Sequence, residues 1–555
     1  MPHCRQCNTG FEVNDWDRDM YARVSPVIAG KKYSVPEPTL CPPCRVQRRM
    51  IWRAELNLHK RKSDFSGKSI LSMYPPEAKC KVYGHDEWWA DDWDSLKYGR
   101  DFDFTRPFFE QYAELIREVP LVALSAESNE NSDYVNSVSW NKNCYLIAGA
   151  NHNEDCYYGN YINYCKVSVD NSFLDHCDFC YECVDCKGCN NLKYSTNCQN
   201  CSDSYFLYNC RNSHHCFGSV DLVGKEYVFM NEQLTRDAYL ARIAKLQLDR
   251  RSRIEEAKGF FEKHRLKYPY KHLIGEMNEN VTGNAINQCR NIDECYDVSK
   301  LEECKHCTWF NESKNCMDIY AWGFGAAECY ECLEAGDNSY HTMFSVSTYN
   351  GNEVYYSYYS MGSKHLFGCV SSKKKEYCIL NKQYTREQWE ALVPRIIEHM
   401  RKSGEWGEFF PMSICPLAYN QTVAQDYRPI TREEAQKLGA KWAEAPAPVS
   451  PVEKIELPDS INAADKGLCE KVFTCALTGK PYKIIEQEFK FFKSQGIPLP
   501  SLSWEARHRA RLARRNPRQL WDRACMKCGT AIRTSYAPER PEIVYCESCY
   551  LKEVY

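Results

Sequence analysis

The chain has 555 residues and few of the usual pointers to function. No run of 18 apolar residues occurs, so no segment reads as a membrane span. Basic and acidic side chains nearly cancel, 71 against 74, and a net charge of −3 selects no polyanionic partner by itself. No phosphate-binding P-loop, dinucleotide fingerprint or nucleophile elbow is present. No histidine sits with a carboxylate and a nucleophile in a pattern that suggests catalysis. His215 and His365 instead match each other across a repeat, which favours a structural role. The expectation is a protein that is not an enzyme, with no small-molecule substrate inferred. The opening Met1-Pro2-His3-Cys4 carries no apolar signal-peptide region. With several Cys-x2-Cys pairs, that reads as a reducing, cytoplasmic location.

What is abundant is cysteine, 33 in all. Cys4-x2-Cys7 with Cys41-x2-Cys44, and Cys525-x2-Cys528 with Cys546-x2-Cys549, each supply two close pairs of thiolates. A two-residue gap lets one tight turn aim both sulfurs at one ion, and two turns complete a tetrahedron. The expected cofactor is zinc, two structural ions, because four thiolates leave no open position for a catalytic water.

The two ends are copies. Residues 35–90 slide onto residues 497–552 at a fixed offset of 462, matching Pro36, Pro38, Arg45, Arg49, Gly67, Tyr74 and Val82 to Pro498, Pro500, Arg507, Arg511, Gly529, Tyr536 and Val544. Cys41 and Cys44 fall on Ser503 and Ala506, and the last four cysteines fall on Ser63, Ser66, Gly84 and Glu87. Each copy has kept a different metal knot and lost the other. Between the knots lie basic stretches that read as helices. Arg45, Arg48, Arg49 and Arg53 stand in one, and Arg507, Arg511, Arg514 and Arg515 in the other. Arginine suits phosphate, so these eight are the candidate nucleic-acid contacts. The alternative is pairing with the acidic middle of the chain, where residues 121–220 hold 11 acids and 5 bases.

In that middle, the twelve cysteines from Cys144 to Cys216 all fall on every third position, with a recurrence every 21 residues. Their triplet class is otherwise small, apolar or Asn, and the other two classes are polar and rich in tyrosine. One class inside and two outside predicts a stack of 21-residue coils, a right-handed β-helix or related narrow solenoid. The register returns from Ile286 to Ile319 and shifts phase near Gly325, giving Cys329 and Cys332. Each run ends alike: Ser213-x-His215-x-Phe217-Gly218-x-Val220 matches Ser363-x-His365-x-Phe367-Gly368-x-Val370 at an offset of 150, followed by a helix capped by Thr235 or Thr385. The coil cysteines read as packing residues, with iron–sulfur ligation or disulfide ladders as alternatives.

The predicted fold is multidomain and mainly β with α connectors: terminal zinc-ribbon-like units flank two Cys-rich parallel β-solenoid segments. Its boundaries are a terminal unit at 1–95, a connecting helix at 96–120 capped at Thr105, and a first solenoid with exit hairpin at 121–234. A helical connector follows at 235–275, a second solenoid at 276–384, a helical and irregular segment at 385–442, a Pro-rich linker at 443–460, and the second terminal unit at 461–555. The Pro36–Arg45 segment, the Cys-rich coils, the Phe-Gly-x-Val exits and the ending Pro541-Glu542-Ile543-Val544-Tyr545-Cys546 resemble a family of large zinc-ribbon proteins from uncultivated bacteria. The resemblance implies this architecture and carries no activity. The functional expectation is a non-catalytic zinc-binding scaffold whose arginine-rich ends bind nucleic acid or a ribonucleoprotein. The alternatives are a redox or metal-handling protein using the coil cysteines, or a scaffold for protein partners on its acidic, Tyr-rich face.

Overall fold

In the computed structural model, described for residues 1–321, 330–336, 339–444 and 455–554, two long parallel ladders carry the middle of the chain. Cys329, Gly325 and most of the Pro-rich linker lie outside the described residues. The first ladder runs through strands Ala126–Glu127, Asn136–Ser139, Ala148–Asn151, Asn160–Asn163, Ser172–Asp175 and Val184–Lys187. Paired residues stand twelve apart: Asn136 with Ala148, Asn160 with Ser172, Ser172 with Val184. Single bridges between the strands keep the same step, as in Glu130 with Lys142 and Asp133 with Tyr145.

The rise is therefore twelve residues, not 21. Backbone hydrogen bonding sets it at four triplets per step, and any multiple of three keeps a cysteine in the buried class, so the 21-residue recurrence is a pattern of side-chain usage and not of the ladder. The residue ahead of each inward position has a positive φ, as at Asn131, Asn143, Asp155, Asp170, Glu182 and Asn197. That conformation disfavours most side chains and explains the density of Asn, Asp and Gly there.

The inward triplet class forms four columns. One reads Asn129, Asn141, Asn153, Cys165, Cys177, Cys189, Cys201, Ser213, and another reads Val138, Ala150, Ile162, Leu174, Cys186, Cys198, Cys210, Leu222. In the first column the side chain of one rung accepts the backbone N–H of the next. Asn141 Oδ1 takes Asn153 N–H at 3.0 Å, Asn153 Oδ1 takes Cys165 N–H at 3.0 Å, and Cys177 Sγ takes Cys189 N–H at 3.4 Å. Serine does the same in neighbouring columns, Ser168 for Cys180 and Ser195 for Leu207. The Val138 column needs no such atom, because its N–H groups enter the strand ladder, as Val138 N–H does with Ser125 C=O. A ladder of this step thus favours small residues with a polar γ or δ atom in three of the columns and hydrocarbon or sulfur in the fourth.

The second ladder starts with a step of eleven (Val281 with Ile292), settles at twelve (Ile286 with Val298), and steps by thirteen where the sequence shifts phase (Tyr320 with Leu333). Both ladders exit through hairpins, Val228–Phe229 with Glu232–Gln233 and Glu376–Ile379 with Lys382–Gln383. Asn231 and Asn381 cap the two ends identically, each accepting a Val N–H eleven residues back. Thr235 and Thr385 cap the helices that follow. The connecting helix is Phe108–Glu118, and Thr105 does not cap it. Its first N–H groups, on Phe108 and Phe109, donate to Glu405 at 2.9 and 2.7 Å.

The terminal units repeat a helix followed by a hairpin. Helix Pro42–Met50 and hairpin His59–Lys62 with Ser69–Ser72 reappear as helix Trp504–Leu512 and hairpin Trp521–Ala524 with Ala531–Thr534. The helices are shorter than the basic stretches predicted, because the chain leaves the helix after Met50 or Leu512 and the end of each stretch forms the first strand of the hairpin. Each unit also pairs a strand with the segment that leads into a ladder: Val82 with Leu121, and Val544 with Tyr270.

Candidate metal centres and the arginine clamps

Four turns of one design anchor the terminal units. In each, the first residue's N–H donates to a carbonyl five residues ahead: Cys4 to Thr9 and Ser63 to Lys68 at 2.9 Å, Cys475 to Lys480 and Cys525 to Thr530 at 2.8 Å. Two of the four belong to complete cysteine quartets. The sulfurs of Cys4, Cys7, Cys41 and Cys44 all lie within 4.8 Å of one another, as do those of Cys525, Cys528, Cys546 and Cys549. The Cys7–Cys41 and Cys528–Cys546 sulfur separations are 3.6 and 3.7 Å. A tetrahedron of thiolates around one ion at about 2.3 Å requires roughly 3.8 Å between sulfurs. A disulfide requires about 2.0 Å. The quartets fit a metal ion and not a pair of bridges. Around the first, Cys41 is pulled down to about 5 by hydrogen bonding from Cys44, whose own thiol is pushed far up in return. In the second, Cys546 N–H donates to Cys525 Sγ at 3.2 Å, orienting that sulfur. Three ligands of the first quartet are buried, but only Cys525 of the second.

The other two turns are completed without a cysteine quartet, in different ways. At Ser63, Ser66, Gly84 and Glu87 a carboxylate occupies the centre: both serine hydroxyls and the Gly84 N–H (2.8 Å) donate to Glu87. The fourth turn, Cys475-x2-Thr478 beside Ser503 and Ala506, escaped the sequence comparison because the spacing between its halves differs from that of Cys4 and Cys41. The shared turn residues, Cys-x2-Thr-Gly beside Cys-x2-Cys-Asn-Thr-Gly, were the available signal. Burial raises the Cys475 thiol, but the Thr478 hydroxyl and the N–H groups of Ser503, Thr478 and Leu477 outweigh it and bring it down to about 7.

The arginines proposed as nucleic-acid contacts face inward. Arg45 Nε meets Asp318 at 2.6 Å and Arg49 meets the same carboxylate at 3.3 Å. Arg48 bridges Glu331 at 2.8 Å and Glu408 at 2.7 Å, and Arg53 pairs with Glu55 at 2.6 Å and with Glu334. In the other unit, Arg507 and Arg511 both hold Asp170 at 2.8 Å, Arg507 also holds Glu488 at 2.8 Å, and Arg514 donates to the Glu182 carbonyl at 2.7 Å. Arg515 spans Asp185 at 2.9 Å and Asp297. Arg45, Arg49 and Arg511 are no more than 1% exposed. For Arg45, Arg48, Arg49, Arg53, Arg507 and Arg511, all buried, the nucleic-acid assignment is corrected accordingly, since a phosphate cannot reach guanidinium groups paired inside the molecule; Arg514 and Arg515 are half-buried and paired. Burial alone would push Arg45 down and Asp318 up, but each partner's charge reverses the shift, so the pair stays ionised. Glu331 remains raised, burial winning there over three arginines.

The receiving carboxylates of the clamps stand at the positive-φ corners of successive rungs: Asp170, Glu182 and Asp185 on the first ladder, Asp318, Glu331 and Glu334 on the second. The N-terminal arginine helix therefore seats on the second ladder and the C-terminal one on the first, while Arg515, beyond that helix, also reaches Asp297 of the second ladder. Tyr74 and Tyr536, equivalent between units, reach the equivalent Tyr358 and Tyr208 at 2.8 and 3.3 Å.

In the two ladders all described cysteines are free thiols. Among the described residues, no coil site brings three sulfurs, carboxylates or imidazoles within 4.8 Å of one another. Their thiols instead donate to carbonyls two residues back and nine ahead, as Cys177 does to Asp175 and Cys186 at 3.4 and 3.5 Å. No helix among the described residues is long and apolar enough to cross a membrane.

No family model matches the chain, and no curated protein matches it. Among solved structures it is similar to one described as "Crystal structure of putative acetyltransferase from Desulfovibrio desulfuricans G20", at 10% identity and a TM-score of 0.10. The match covers 39% of this chain and 63% of that one, so it spans less than two thirds of the other protein.

Proposed function

We propose that this protein is a zinc-clamped scaffold in which the two ladders close as narrow four-sided solenoids and present a rigid surface to partners. The observation that carries this reading is the crossed seating of the arginine helices on Asp318 and Asp170. The terminal units spend their positive charge holding the two ladders together. Zinc is the metal assigned to both quartets, since four thiolates at tetrahedral spacing satisfy it fully and leave no position for substrate. Its binding energy is also folding energy, on the order of 10 kcal/mol per site. The role given to the coil cysteines is packing and backbone satisfaction, with no metal of their own.

Metal analysis of anaerobically purified full-length chain tests this. Two zinc ions per chain and no iron is the expected result, matching the two quartets. Iron, or zinc in clear excess, would return the coil cysteines to a metal-handling role. Saturable, salt-sensitive binding of RNA or DNA at low ionic strength would favour the nucleic-acid reading instead, through basic residues other than the six arginines buried in the clamps.

A further inference from the structure

A cleft of about 760 Å³ lies where the N-terminal unit meets the flanks of both ladders. That volume is within the range, roughly 300–1,000 Å³, of pockets that enclose a small ligand. Trp88, Trp89, Trp93 and Trp140 line it. Trp88 and Trp93 are buried at its base, while Trp89 and Trp140 stand 46% and 54% exposed. Trp140 is fixed from behind by His152, the rings parallel within 8° and 4.9 Å apart. The rung before it carries only Ser128 at that corner, so no ring covers the other face of the indole. Large indoles left in water at the mouth of a cavity are not explained by packing.

The polar lining mixes neutral groups with charges of both signs. The Ser95 hydroxyl is buried in this wall with no hydrogen-bond partner, and the amides of Asn151 and Asn350 lie in the same lining. A buried hydroxyl without a partner carries a desolvation cost that a ligand could relieve. The charges nearly cancel. Lys373 spends its ammonium on the Trp88 and Ala90 carbonyls at 2.6 and 3.0 Å and on the faces of Trp88 and Trp93. Lys375 pairs with Asp94 at 3.0 Å. Lys374 is then set against Asp91 and Glu127, both in the lining. No surplus of positive charge remains for a phosphate.

We propose that this cleft binds a neutral saccharide, the C–H face of one sugar ring lying on Trp140 or Trp89 and its hydroxyls meeting Ser95 and the nearby amides and carboxylates. The chemistry follows from the electron-rich indole face, which attracts the slightly positive C–H groups of a pyranose. Neutral hydrogen-bonding groups would set its orientation.

Tryptophan fluorescence and calorimetric titration of the full, metal-loaded chain test the proposal. The neutral probes are unmodified tetrasaccharides of β1,4- and α1,4-linked glucose, xylose, mannose and N-acetylglucosamine, with ATP and oligouridylate as anionic ones. At least one tetrasaccharide should saturate at one per chain. Trp140→Ala and Trp89→Ala should each weaken it tenfold or more, with metal content and melting midpoint unchanged, and Ser95→Ala should weaken it less. The proposal falls if no tetrasaccharide saturates, if binding survives unchanged in the Trp89→Ala, Trp140→Ala double variant, or if only the anionic probes bind.

Discussion

Glu87 stands with one carboxylate where a quartet of sulfurs stands at the equivalent corner of the other terminal unit. Its position aligns with Cys549, and Ser63 and Ser66 align with Cys525 and Cys528. Burial raises the Glu87 pKa, but the two hydroxyls and the Gly84 N–H lower it further, so the folded value lies below the ordinary one of 4.5. A depressed carboxylate stabilises above its unfolded pKa, and the contribution is lost as pH falls through the folded value. Glu87→Gln should therefore melt lower than wild type at pH 7, and the gap should close as pH falls below about 4. Melting curves across that range check it; a gap independent of pH would mean that the carboxylate's charge is not what holds the turn. Arg511 poses the sharper residue-level test. It is fully buried against Asp170, and removing one partner of such a pair costs about 3–5 kcal/mol. Arg514, partly exposed and bonded mainly to a carbonyl, should cost no more than about 1 kcal/mol when changed to Ala. Denaturant titration of the two variants measures the difference.

Within a ladder, each inner column has its own chemistry. Cys177 receives the Cys189 N–H, a task that Asn153 and Ser213 perform elsewhere in the same column. Cys177→Ser should be close to neutral, because a hydroxyl supplies the same acceptor. Cys177→Val should cost about 1–3 kcal/mol by leaving a buried N–H unpaired. Equal losses in both variants, read from denaturant midpoints, would show that sulfur itself is required at this position. The triplet register was legible in sequence because buried positions repeat every three residues whatever the coil length. The length of the coil was not legible, since the rise depends on which backbone groups meet, and residues 156 and 177 are both inside whether a turn holds twelve residues or 21.

At the level of the whole molecule, the two duplications interlock. Each terminal unit grips one ladder through its arginine helix and extends the approach to the other through a short strand. The two metal quartets are not equally protected: three ligands are buried at the first and one at the second. Chelator should remove the C-terminal ion first. Release of zinc in excess chelator is expected in two phases, with Cys549→Ser abolishing the faster one and lowering the zinc content by one. Loss of the slower phase instead would reverse the order. Since metal binding is coupled to folding, the second phase should coincide with loss of the folded signal.

Local spacing in the sequence determined the metal ligands, the duplication of the ends, the inward class of the ladders and the caps of the helices after them. Each of these depends on residues a few positions apart or on direct repetition. Only the tertiary structure decided what the arginines touch. Arg45 and Asp318 are 273 residues apart, and a basic helix has the same sequence whether it faces a phosphate or a buried carboxylate. Which of the two it meets depends on how the copies are arranged in space. The Trp cleft belongs to the same class: its walls come from residues 85–151 and 334–375, and no local pattern brings them together.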